Sequence, residues 1–293
     1  MKLTLQAHAK INLALDVLSR RSDGYHELRM IMESLTLCDT VTLSDELSSS
    51  EAADGISPVS LTCSDPSLPA GPSNLAVKAA LLLAKKTAHT LPLSIHIEKR
   101  IPAAAGLAGG SADAAAVLTG ANELYSLGLS QKELMAIGKE LGADIPYCIL
   151  RGSSVAEGIG EVLTPAPSLA GIPVVLAKPA EGLSTKEIFQ ALILDQNTLH
   201  PDTAEMLKAM DKHNLSDLGR LRSNLLESVA IPRLPLIKTL IDHLKEAGSP
   251  CAGMTGSGPT VFALFEDPSL AGSVYHSLIS SFPEVRFYLT EIL

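Results

Sequence analysis

The apolar positions of this chain change period several times, and each change marks an element. Ile11, Leu13, Leu15 and Val17 alternate with Asn12, Ala14 and Asp16, a period of two that predicts a half-buried strand over 10–18, with Lys10 at its start. Leu93, Ile95 and Ile97 repeat the alternation, and a weaker β signal lies at 59–62 inside the Ser- and Pro-rich stretch 44–72. Leu75, Val77, Leu81 and Leu82 predict a helix to about residue 88, capped by Ser73 or Asn74. Past a glycine-rich run at 102–112, Ser111 stands where a helix N-cap belongs, followed by alanines, Val117 and Leu118. Ser130 with Glu133 has the form of a capping box.

The three glycines of 152–162 lead into Pro165, Ala166 and Pro167, and these breakers place a domain boundary within 160–170. Beyond it the pattern predicts a strand at 172–177, several helices, a strand at 260–265, a helix at 268–280 and a strand at 285–289. Strands mixed with helices in this order predict an α+β fold with two layers in each half, divided into domains 1–163 and 164–293. No fixed-period repeat is present, and no low-complexity run exceeds the serine triplet at 48–50.

Composition narrows the function classes. An apolar fraction of 46% supports buried cores, and the lack of Trp makes Leu, Ile, Val and Ala their material. A formal charge of -9 argues against a nucleic-acid binder or an acidic-membrane binder, since both need a cationic face. It leaves room for an anionic small ligand held by local lysines and backbone N–H groups. Cys38, Cys63, Cys148 and Cys251 are too scattered for a metal site or a disulfide framework and read as reduced thiols. Residues 1–5 lack the apolar core of a signal peptide, and the apolar stretch 101–118 is broken by glycines, Ser111 and Asp113, so a cytoplasmic location is expected.

The strongest local feature is the run Pro102, Ala103, Ala104, Ala105, Gly106, Leu107, Ala108, Gly109, Gly110, Ser111, Ala112. Its glycines permit positive φ and close backbone approach, and a loop that opens a helix aims unpaired N–H groups at the positive dipole end, which suits phosphate oxygens. Ser111 could add a hydroxyl to a phosphate or to Mg²⁺, while Asp113 would repel a phosphate unless turned away. The run could equally be a plain strand-to-helix connection. It is neither a P-loop nor a G-x-G-x-x-G fingerprint. A second cluster, Gly253, Met254, Thr255, Gly256, Ser257, Gly258 and Pro259, reads alone as a turn and gains meaning as a partner closing over the first.

Lys10 is either a surface lysine or a functional cation, and Asp144, ahead of Ile145 and Pro146, is an N-cap, a turn residue or a carboxylate with a task. Together they could form a general base and the cation that keeps it ionised. Asp23, Gly24, Tyr25 and His26 read as a turn entering a strand, or as a ring to stack on a base beside an imidazole for its edge.

The segments Ala9-Lys10-Ile11-Asn12-Leu13, Arg21-Ser22-Asp23-Gly24-Tyr25-His26, 102–112, Leu141-Gly142-Ala143-Asp144-Ile145-Pro146 and Gly256-Ser257-Gly258 occur in the order found in GHMP kinases, which the chain resembles over nearly its whole length. The resemblance implies a ribosomal-protein-S5-like N-terminal ATP domain and a ferredoxin-like C-terminal substrate domain. The Asp-Gly-Tyr-His step favours the branch that moves the γ-phosphate of ATP, with Mg²⁺, to the C2 hydroxyl of a diphosphocytidyl methylerythritol. Homoserine- or mevalonate-type kinases and a non-catalytic nucleotide binder of the same fold are the alternatives. By the same resemblance Asp144 is the general base, Lys10 assists, Tyr25 and His26 hold the cytosine, Phe189 is the second face of that aromatic sandwich, and Asn12 contacts substrate. Asn74 and Lys99 are candidates for holding adenine. Similar loops carry more glycine where this one has Ala103, Ala104, Ala105 and Ala108, and alanine does not easily take positive φ. The segment Ser223-Asn224-Leu225-Leu226-Glu227 departs from a family stretch that often has Asp after Asn.

Overall fold

The computed structural model describes residues 1–47, 59–196 and 198–293; the serine triplet at 48–50 lies outside the described residues. In chain order the first ten elements are β1 (Lys2–Arg20), β2 (His26–Ser44), β3 (Val59–Cys63), α1 (Leu75–Thr87), β4 (Leu93–Glu98), α2 (Gly109–Leu124), α3 (Gln131–Lys139), α4 (Ile145–Leu150), β5 (Ser154–Gly158) and β6 (Val162–Pro165). They are followed by β7 (Pro173–Pro179), α5 (Thr185–Ala191), α6 (Thr203–Asp211), α7 (Leu215–Leu221), α8 (Glu227–Arg233), α9 (Leu236–Glu246), β8 (Cys251–Met254), β9 (Val261–Leu264), α10 (Pro268–Ser281) and β10 (Val285–Glu291). The chain forms two compact units, each discontinuous in sequence. One holds Met1–Ala9, Leu37–Ala103 and Ala108–Arg151; the other holds Lys10–Thr36, Ala104–Leu107 and Gly152–Leu293.

In the first unit, β3 runs parallel to β4, and β4 pairs antiparallel with Thr40–Ser44 of β2. The alternating Leu93, Ile95 and Ile97 all point inward, as their period of two predicts. Among the described residues, helices α1 to α4 complete this unit. Asn74, not Ser73, caps α1 by accepting a hydrogen bond from the Ala76 N–H at 2.9 Å. Ser130 and Glu133 form the predicted capping box at the start of α3. Helix α2 is buried almost all round, from Ala112 to Leu124, which is why its sequence is alanine-rich and lacks a polar face.

In the second unit, Leu28–Met32 of β2 pair antiparallel with β5, and β5 forms a hairpin with β6 where the sequence offered only glycine and proline breakers. A second sheet has the order β10-β7-β9-β8, antiparallel throughout. Every residue of β7, β8 and β9 is buried, matching the unbroken apolar runs Val174-Val175-Leu176-Ala177 and Val261-Phe262-Ala263-Leu264. Helices α9 and α10 pack on this sheet, α9 through Ile237, Leu240, Ile241 and Leu244. The predicted strands at 172–177, 260–265 and 285–289 and the helix at 268–280 appear as β7, β9, β10 and α10, in an α+β arrangement.

Lys10 does not begin a strand but lies within β1, because Leu3, Leu5, Ala7 and Ala9 already alternate with Lys2, Thr4, Gln6 and His8. Among the described residues no cysteine forms a disulfide, and no helix is long and apolar enough to cross a membrane.

Candidate active site

The run 102–112 is anchored at both ends by backbone geometry. Ala104 and Ala108 adopt positive φ, at 50° and 58°, where only glycine was expected to do so. A left-handed alanine costs about 1–2 kcal/mol, so the surrounding contacts must impose it. Gly106, at φ 73°, has no alternative: a Cβ there would lie 2.6 Å from the Thr255 carbonyl oxygen. The turn 104–107 and the second glycine cluster are therefore packed backbone on backbone, in the partnership that the two clusters suggested. Strand β1 secures the same turn, since the Lys10 N–H donates to the Leu107 carbonyl at 3.1 Å.

Helix α2 starts earlier than predicted. Its N-cap is Ala108, and Ser111 sits inside the first turn, where its hydroxyl caps nothing. The left-handed Ala108 turns the chain sharply enough for Gly109 and Gly110 to enter the helix. No side chain caps the α2 N-terminus, so the first-turn N–H groups keep their capacity for an anion.

Lys10 is buried, 4% exposed, which overturns the surface-lysine reading. Its Nζ donates to Asn12 Oδ1 at 2.6 Å, and among the described residues no carboxylate pairs with it. Asn12, 1% exposed, donates its N–H to Thr255 Oγ1 at 2.9 Å. Lys10 Nζ also lies 3.4 Å from where a Cβ of Gly256 would project, so the ammonium stands beside the glycine cluster. Sequence reasoning missed how that cluster is held. Asn224 donates from Nδ2 to the carbonyls of Met254 at 3.0 Å and Gly256 at 2.8 Å, and Glu227, paired with Arg222, accepts from the Met254 N–H at 2.8 Å. The only signal for this was the departure at 223–227.

Asp144 belongs to the first unit and Lys10 to the second. Asp144 takes the N-cap position of α4 but makes no capping hydrogen bond, and its half-buried carboxylate has no partner among the described residues.

His26 opens β2, and its ring lies 5.3 Å from that of Phe189 on α5, tilted by 31°. Burial, with a smaller contribution from Arg20, lowers the His26 pKa and favours the neutral imidazole. Tyr25 is 60% exposed at the tip of the turn, where its N–H donates to Asp23 Oδ1 at 3.0 Å, and it has no ring partner among the described residues. Phe189 thus meets His26 rather than Tyr25. On the β1 face that carries Lys10 and Asn12, buried Asp16 bonds through Oδ1 to His200 Nδ1 at 2.7 Å, a contact with no sequence signal.

Asp113 is turned away from the loop. Its Oδ2 lies 2.7 Å from Lys99 Nζ, which also lies 2.5 Å from Asp39 Oδ2. Lys99 is therefore held by two carboxylates, and the Asn74 side chain is committed to Ala76 and to the Pro69 carbonyl at 2.8 Å. Burial pushes the Asp113 carboxyl up to about 7 against the pull of Lys99. Among the described residues no group of three or more His, Cys, Asp or Glu could hold a metal ion. In the first unit, the uncapped start of α2 suits a phosphate oxygen.

Comparisons with known proteins agree with this chemistry. The family model "GHMP kinases N terminal domain" matches residues 74–152, and "GHMP kinases C terminal" matches 206–284. The 4-diphosphocytidyl-2-C-methyl-D-erythritol kinase of Acetivibrio thermocellus is 44% identical over 95% of each chain. That of Alkaliphilus metalliredigens is 42% identical over 94% of this chain and 92% of its own. A crystal structure of a 4-(cytidine 5'-diphospho)-2C-methyl-D-erythritol kinase superposes with a TM-score of 0.82 at 29% identity, covering 99% of both chains. Homoserine kinase from Cytophaga hutchinsonii shares the fold, with a TM-score of 0.74 at 16% identity over 99% of this chain and 95% of its own. The chain belongs to the GHMP kinases, in the family of the 4-diphosphocytidyl-2-C-methyl-D-erythritol kinases.

Proposed function

We propose that the chain transfers the γ-phosphate of ATP to the C2 hydroxyl of 4-diphosphocytidyl-2-C-methyl-D-erythritol, a step of the non-mevalonate route to isopentenyl diphosphate. The observation that carries this reading is the burial of Lys10 with no carboxylate partner among the described residues. An ammonium taken out of water carries a penalty that opposite charge must offset, and a substrate with several phosphate groups brings that charge.

The remaining roles follow from chemistry already described. ATP, carrying Mg²⁺, supplies the phosphoryl group. The N–H groups at the start of α2 receive phosphate oxygens, with the run 102–112 shaping their approach. Asp144, free of capping duty, accepts the proton of the attacking hydroxyl, and Lys10 assists the transfer. Neutral His26 bonds the cytosine edge, Phe189 and Tyr25 offer ring faces to the base, and Asn12 contacts the sugar alcohol. The partition 1–163 and 164–293 is retained as the division into ATP and substrate domains, supported by family models that end at 152 and begin at 206. A cytoplasmic location completes the proposal.

The test is ADP release with purified protein, ATP, Mg²⁺ and the diphosphocytidyl sugar alcohol. Turnover is expected there and not with homoserine or mevalonate. Activity on either of those alone, or nucleotide binding without any turnover, overturns the reading. Asp144→Asn is expected to lower kcat at least about 100-fold with little change in ATP affinity.

A further inference from the structure

The cluster around Lys99 concentrates three charged side chains at little exposure, a costly arrangement. Asp39 and Asp113 are buried and the Lys99 side chain is 7% exposed, two carboxylates about one ammonium, within the first unit. Asp39 does more than pair: its Oδ1 accepts the backbone N–H of Arg100 at 2.5 Å and of Ile101 at 2.8 Å, the residues that lead into Pro102. Asp113 belongs to α2, just beyond the first turn whose N–H groups are uncapped. Lys99 joins the two carboxylates, and packing reinforces the link: a Cβ on Gly109 would lie 3.0 Å from Ile101 Cγ2 and 3.3 Å from Lys99 Nζ. The cluster therefore grips the chain where it enters the run 102–108 and again where it leaves.

We propose that Asp39, Lys99 and Asp113 form a buried staple that fixes the spacing of the two feet of the nucleotide loop, making them positioning residues for the triphosphate. This rests on the kinase reading above and adds residues whose side chains bond to one another and to the backbone of the loop's feet. A loop carrying two left-handed alanines has no intrinsic preference for its own shape. Its geometry is imposed from the feet, and displacing a foot by about 1 Å misdirects the α2 N–H groups toward the phosphates.

The test separates nucleotide from acceptor in steady-state kinetics. Asp113→Asn keeps the size of the side chain and the Lys99–Asp39 pair but weakens the tie to α2. It is expected to raise the KM for ATP about tenfold while the acceptor KM stays within about twofold. Asp39→Asn, which loosens the other foot, is expected to show the same split. Lys99→Arg, able to span both carboxylates, is expected to retain near-wild-type ATP KM. Folded Asp113→Asn and Asp39→Asn proteins with ATP KM within about twofold of wild type overturn the staple. So do ATP and acceptor KM values that rise in proportion, the mark of general loosening. If either variant does not fold, the other decides. Wild-type protein that neither binds nor consumes ATP removes the kinase reading and the staple's role with it; normal wild-type activity beside unaltered variants removes the staple alone.

Discussion

Two buried lysines show how differently the same side chain is used in the two units. Lys99 lies between Asp39 and Asp113, its charge met twice over. Lys10 is more deeply buried, yet the group at its Nζ is the neutral amide of Asn12. A neutralised ammonium is a strut: removing it strands carboxylates and harms the fold. An ammonium without counter-charge is a strain on the fold that ligand binding relieves. Burial alone does not distinguish them; the partners do. Glu33 shows a third solution. It is wholly buried with Ser153 as its hydrogen-bond partner at 2.6 Å, its Oε1 has none, and burial pushes its pKa to about 8. It meets the same difficulty by keeping its proton.

Substitutions should separate these cases. Lys10→Met is expected to lower turnover at least about 100-fold while leaving the melting temperature unchanged or higher, since an uncompensated charge is removed. A matching loss of stability would place Lys10 with Lys99 as a strut. Lys99→Met should destabilise the protein by about 3–5 kcal/mol in urea unfolding, because it leaves two carboxylates buried together. A change below about 1 kcal/mol would mean that the staple contributes little to the fold.

Tyr25→Ala tests the proposed role of Tyr25 in holding the base, where stacking is worth about 1–3 kcal/mol. The acceptor KM should rise with the ATP KM unchanged; an unchanged acceptor KM would leave Tyr25 as a turn residue. The smallest effect concerns Glu33. Its folded pKa of about 8 exceeds the ordinary 4.5, so the folded state holds a proton that the unfolded state releases between those values. That contribution is fully present below about pH 4.5 and is lost as pH rises through about 8. Melting temperatures of wild type relative to Glu33→Gln should fall across that window, and parallel curves would show that Glu33 is already ionised in the fold.

Much of this was legible locally. The strands at 172–177 and 260–265 announced themselves by unbroken apolar runs, and the capping box by two residues three apart. The first half of β1 was also written in the sequence, but Ala7 and Ala9 are weak apolar markers and hid the alternation. The start of α2 was not legible, because the decisive fact is a left-handed Ala108 imposed from outside, against the preference of alanine itself. The candidate site residues divide the same way. The first glycine run stood out by composition, and Lys10, Asp144 and the second cluster gained weight from the ordered resemblance, while Asp39–Lys99, Asp16–His200 and Asn224–Gly256 join residues that only the tertiary fold brings within reach.

The discontinuous units have a consequence for the order in which the chain is made. Strand segments 10–20 and 26–36 emerge early from the ribosome, rich in side chains that end buried. Their partners come much later: β5 pairs with Leu28–Met32, Asn224 bridges Leu15, and Ile292 bridges Leu35. During synthesis the strand bearing the candidate chemistry is thus an open edge awaiting distant residues, the condition under which nascent chains aggregate or call on chaperones. The arrangement also penalises truncation. A fragment stopping short of residue 292 leaves the second unit unfinished at a strand laid down near residue 35.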